Sequence, residues 1–74
     1  MDTVTRTVLE HRCTNLNRRL ERSGRHVEVG LRNGQVGLDE YKGTACIRTI
    51  TVGTKREIAD FLHAMMVGID LSRS

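Results

Sequence analysis

Leu9, Cys13, Leu16 and Leu20 recur at i, i+4, i+7 and i+11 within a stretch, Asp2 to Ser23, that holds no Gly or Pro. That spacing is one face of a helix, and it predicts a helix whose apolar stripe is the core side. Ser23-Gly24 supplies the stop, since Gly24 suits the left-handed position after a helix. The start is open to two readings. "TVTRTVL" alternates β-branched residues as a short strand would, but Asp2 or Thr3 can cap a helix there and nothing interrupts the run, so helix is preferred.

The period then changes to two. In "HVEVGLRNGQVGLDEY", Asn33-Gly34 separates two alternating runs, the pattern of a hairpin closed by a type I′ turn, which needs positive φ at both central residues. Placing Arg32 opposite Gln35 sets the register. Leu31 pairs with Val36, Val29 with Leu38 and Val27 with Glu40 on one face. Gly30 with Gly37, Glu28 with Asp39 and His26 with Tyr41 fall on the other. The first face is apolar and the second polar, as in an antiparallel sheet covered on one side.

"CIRTITV" is rich enough in β-branched residues to be a third strand. Ile50 and Val52 are expected on the covered face and Ile47 on the other. Arg48 shares parity with Ile50, which predicts a bulge or a late start of the regular ladder. Thr54 and Glu57 stand at capping-box spacing and open a last helix. Along it Ile58, Phe61, Leu62, Met65, Met66 and Ile69 span an arc of about 140°, while Arg56, Asp60, His63 and Val67 take the opposite side. Ile58, Phe61, Leu62, Met65 and Ile69 are expected in the core. Met66 and Val67 are the apolar residues that can be spared for a partner.

The predicted fold is therefore a single α+β domain over residues 1–74. Its order is α-β-β-β-α, a three-stranded antiparallel meander with both helices packed on one face. A chain of 74 residues is near the small end of what folds alone, so a dimer interface or a partner would add stability.

Composition changes this picture little. Twelve Lys and Arg against nine Asp and Glu give +3, and the excess lies before residue 27. The two cysteines, Cys13 and Cys46, belong to different elements, which excludes CxxC chemistry and leaves a disulfide or two free thiols. His11, His26 and His63 are dispersed, so no metal site and no cofactor is expected. Apolar runs fall short of the ~20 residues of a bilayer span, giving the expectation of a cytoplasmic protein with no membrane contact.

Two surfaces are candidates for a partner. On the open sheet face, paired Gly30 and Gly37 would leave a bare strip of backbone flanked by His26, Glu28, Arg32, Asp39 and Tyr41. On the last helix, His63 and Val67 lie on the outer side. Glu28 opposite Asp39 juxtaposes like charges, but an open face gives no cleft to shift a pKa, so the pair is not read as catalytic. Nucleic-acid binding through Arg18, Arg19, Arg22, Arg25, Lys55 and Arg56 is the alternative, weakened by the presence of only Tyr41 and Phe61 as aromatics.

The element order and "GTKREIA" resemble a double-stranded RNA-binding domain, although the two-residue Asn33-Gly34 turn stands where that family has a longer groove-reaching loop. "LNRRLERSG" and "GTKREIADFLHAMMVGI" resemble small phage and prophage proteins of uncharacterised function. That resemblance implies a short accessory protein, active in the host cytoplasm, that binds a host or phage protein and modulates or inhibits it, as anti-CRISPR proteins do. Self-association is a further expectation.

Overall fold

The computed structural model describes residues 4–73. Helix α1 (Arg6–Leu20) is followed by a 3₁₀ turn (Glu21–Ser23), strands β1 (Arg25–Arg32), β2 (Gln35–Lys42) and β3 (Ala45–Gly53), and helix α2 (Lys55–Ser72). The sheet is an antiparallel meander in the order β1-β2-β3. This is the α+β, α-β-β-β-α arrangement predicted from the sequence. No helix among the described residues is long and apolar enough to cross a membrane.

Both helices lie on the same side of the sheet and run the same way. Arg12 of α1 donates to the Ala59 carbonyl of α2, and further along Arg19 Nε donates to Asp70 at 2.7 Å. Arg73 donates to the Arg19 carbonyl near the ends of both helices. The molecule measures 33 × 29 × 17 Å, and the short dimension is that of one helical layer on one sheet. The second sheet face therefore has no protein layer over it.

Between the layers, Leu9, Cys13 and Leu16 of α1 meet Val27, Val36 and Leu38 of the sheet and Ile58, Ala59 and Leu62 of α2 in one buried cluster. Each of the predicted stripes contributes. Hairpin register matches the sequence expectation pair for pair, from His26 opposite Tyr41 to Arg32 opposite Gln35, and extends to Arg25 opposite Lys42. Asn33 and Gly34 both have positive φ, 51° and 82°, as the turn requires. The capping box of α2 is complete, with Thr54 Oγ1 accepting from the Glu57 amide and the Glu57 carboxylate accepting from the Thr54 amide. Gly24 closes the 3₁₀ turn with φ 73°.

Several expectations are corrected. The cap of α1 is Thr5, whose hydroxyl accepts from the Val8 amide; Asp2 and Thr3 lie outside the described residues. Phe61 is 37% exposed and lies outside the core, because α2 turns the Ala59 flank of its Ile58–Leu62 line inward and Phe61 falls on the opposite flank. Leu31 is on the covered face but 72% exposed, since the helical layer ends before the hairpin turn does.

In β3 the ladder is offset twice, once at Ile47 and once at Ile50. The extra residue at Ile50 resets the alternation. Ile50 packs against the core, whereas Val52, opposite Gly37, falls on the open face and is exposed. The predicted bulge is present, and it removes Val52 from the side expected for it.

Candidate functional site

The open face is made by alternate residues of the three strands: His26, Glu28, Gly30 and Arg32 from β1, Gly37, Asp39 and Tyr41 from β2, and Cys46, Thr49 and Val52 from β3. The hairpin turn brings the β1 and β2 residues together locally. The two bulges decide which β3 residues join them.

The glycine strip is not bare. Arg32 Nη2 donates to both carboxylate oxygens of Asp39 at 2.7 Å, and to reach them its side chain crosses Gly37. A Cβ on Gly37 would stand 2.7 Å from Arg32 Nε, so only glycine leaves room for the arm. Gly37 is buried under it, while a Cβ on Gly30 would meet nothing closer than 4.0 Å. Thr49 Oγ1 donates to Asp39 Oδ1 at 2.7 Å, leaving this carboxylate 6% exposed although it faces the open side. The bond from Thr49, with those from Arg32, holds the Asp39 carboxyl below the usual carboxylate range.

The expected clash of Glu28 with Asp39 is relieved sideways. Asp39 is taken by Arg32 and Thr49, and Glu28 accepts from His26 Nε2 at 2.8 Å. His26 in turn stacks on Tyr41, with ring centroids 5.1 Å apart and planes 10° from parallel. Glu28, His26, Tyr41, Cys46 and Val52 are thus among the side chains presented to solvent, while Arg32, Gly37, Asp39 and Thr49 form a structural clamp between them.

Two residues outside the sequence-derived candidates carry weight. Glu40, 8% exposed, points toward the helical layer, where it accepts from Arg48 Nε at 2.7 Å and Arg25 Nη1 at 2.9 Å. Arg48 is thus neither buried nor idle: it faces Glu40 across the ladder and lowers its pKa, with a smaller contribution from Arg25. The sequence signal was a carboxylate at core parity opposite Val27. The other residue is Asn17, whose amide donates to the Val27 carbonyl at 3.0 Å and accepts from its N–H at 2.8 Å.

Because Asp39 and Glu40 both titrate lower in the folded chain than in the unfolded one, their contribution to stability is complete above the unfolded pKa values of about 4 and is lost as pH falls through the folded ones. Urea midpoints should hold steady from about pH 7 to about pH 5 and fall between about pH 4.5 and about pH 2, with Glu40→Gln giving a shallower acid slope than the parent chain.

The helix candidates are also accounted for. His63 and Val67 are exposed on the outer side of α2, on the far side of the molecule from Tyr41. The basic residues do not form one patch. Arg18, Arg19, Arg22 and Arg25 gather at the C-terminal end of α1, whereas Lys55 and Arg56 begin α2, about 22 Å from Asp70 by helical rise. Arg19 is engaged by Asp70, Arg25 by Glu40 and Arg56 by Asp60 at 3.5 Å.

Cys13 lies in the core, where burial raises its thiol pKa to about 11, and Cys46 is exposed on the opposite side of the sheet, so the two are free. Among the described residues no three His, Cys, Asp or Glu side chains are grouped to hold a metal. A concavity of about 680 Å³ opens beside Glu40 between Leu20, Ile50, Phe61 and Met65. No protein-family model, curated protein or solved structure matches the chain. The functional reading therefore rests on its own residues.

Proposed function

We propose that the protein is a non-catalytic binding module, of phage or prophage origin, that occupies a surface of a host or phage protein through its open sheet face and so modulates or inhibits it. The observation that carries this reading is the uncovered sheet face. Its side chains are already held in place by the His26–Tyr41 stack and the Arg32–Asp39–Thr49 clamp, so a partner finds an ordered surface and little side-chain entropy is lost on contact. Tyr41 and the exposed Val52, on either side of the Asp39–Thr49 pair along this face, offer the aromatic and apolar contacts that interfaces favour. The phage setting is supported by the resemblance of "LNRRLERSG" and "GTKREIADFLHAMMVGI" described above.

The test begins with affinity capture from the native host, followed by quantitative binding of the captured protein. Tyr41→Ala combined with Val52→Asp should weaken that binding at least about tenfold while leaving the circular dichroism melt nearly unchanged, whereas His63→Ala with Val67→Asp should leave it intact. Asp39 is avoided, since its replacement would dismantle the clamp. Retained binding by the first variant and loss by the second would move the interface to α2. A gel shift with DNA or RNA at ~50 mM salt, abolished by Arg18→Glu with Arg22→Glu, would replace protein binding by phosphate contact.

A further inference from the structure

The two edges of the sheet are built differently. Bulges at Ile47 and Ile50 interrupt β3, which disrupts the regular row of outward-facing amides that another strand would need. β1 has no such offset over its eight residues. The two-residue turn makes Arg32 and Gln35 a hydrogen-bonded pair, so Gly30, Glu28 and His26 bond to β2, while Leu31, Val29 and Val27 turn their N–H and C=O groups outward. Val27 confirms this phase, because Asn17 takes both of its groups in the manner of a neighbouring strand. Among the described residues, nothing takes the outward groups of Val29 and Leu31.

On the helix side of that open half-edge lies a groove of about 120 Å³ whose apolar lining is Leu9, Val29, Leu31 and Val36. Arg6 and Lys55 stand at its rim. Each is the first residue of its helix, so the positive ends of two helix dipoles converge on the same place. The first turn of α1 holds no acidic residue, that of α2 holds Glu57 folded back onto the Thr54 amide, and neither Arg6 nor Lys55 has an ion pair among the described residues. A bare strand edge, an exposed leucine and a concentrated positive potential therefore coincide.

We infer that the Val29–Leu31 edge receives, by strand addition, an extended segment of an acidic partner protein. In that segment an apolar side chain and a carboxylate stand two positions apart, so that both hang on the helix side. The apolar side chain covers Leu31 and Val29, and the carboxylate lies between Arg6 and Lys55. Asn17 ends the pairing at Val27. A second copy of this chain fits less well, because antiparallel pairing of two β1 edges would bring both sets of these cations together.

The probe is a nine-residue blocked peptide of threonines with one valine and, two positions later, one glutamate, followed by amide NMR of the intact protein. Added at about 1 mM, it should shift and protect the Val29 and Leu31 amides and leave Val27 unchanged, and the same peptide with lysine for glutamate should bind at least about tenfold more weakly. Arg6→Glu with Lys55→Glu should reverse that preference. Undisturbed Val29 and Leu31 amides, or equal binding of the two peptides, would overturn the proposal. So would protection of those amides in the protein alone, rising with its concentration together with its sedimentation coefficient, which would assign the edge to a second copy.

Discussion

Leu38→Ala is expected to lower stability by about 3 kcal/mol, the middle of the range for emptying a buried leucine site. Leu38 lies on the central strand, faces the helical layer and is 0% exposed, in the same cluster as Leu9, Leu16, Ile58 and Leu62. With a backbone on either side of β2 and helices above, the surroundings have little freedom to collapse into the void. A chain of this length is worth roughly 4–11 kcal/mol in total, so the loss is a large fraction of what holds it folded. The corresponding fall in Tm is roughly 20 °C. Urea and thermal melts followed by circular dichroism measure it, with Leu31→Ala as the comparison. Leu31 shares the covered face but is 72% exposed, so its truncation should change stability little. Equal losses in the two variants would mean that the core is not where these contacts place it.

Asn17→Ala should cost about 1–2 kcal/mol and change the edge of the sheet as well. Two hydrogen bonds are lost at once, leaving the N–H and C=O of a 2% exposed valine without their partner. The better helix propensity of alanine offsets several tenths of a kcal/mol. In the variant the open half-edge grows from Val29–Leu31 to include Val27, so the Val27 amide should lose its protection from hydrogen exchange and the chain should gain a tendency to pair with other strands. Asn17→Asp separates the two roles. It keeps the acceptor for the Val27 N–H but sets a carboxylate against the Val27 carbonyl, so amide protection should survive while stability falls. If Asn17→Ala leaves Val27 protected, the amide is not the edge cap described here.

Much of the scaffold that positions the open face was legible from short-range pattern. The Asn33-Gly34 dipeptide determines the phase of β1 against β2, and with it the pairing of Glu28 with Asp39 and His26 with Tyr41. What that pairing implied for charge was misread. The expected repulsion between Glu28 and Asp39 and the expected bare strip at Gly30 and Gly37 share one remedy, an arginine laid diagonally across a glycine, and its geometry depends on strand twist and side-chain reach rather than on spacing. Asn17 was equally hidden, because a polar residue off a helical stripe looks like any solvated position until a strand edge lies beside it.

Alone, the sequence determined the elements, their order, the hairpin register and the apolar stripes from which the core is drawn, because each of these follows from backbone torsions and periodicities within a few residues. Tertiary structure decided which face Val52 takes after the bulge at Ile50, why Glu40 can sit at a core position between Arg25 and Arg48, and which part of β1 stays open. Those outcomes depend on which elements become neighbours and where the helical layer ends. The physical reason is range: torsional preference and hydrophobic period act along the chain, whereas ion pairing, edge capping and exposure are set by contacts between segments far apart in it.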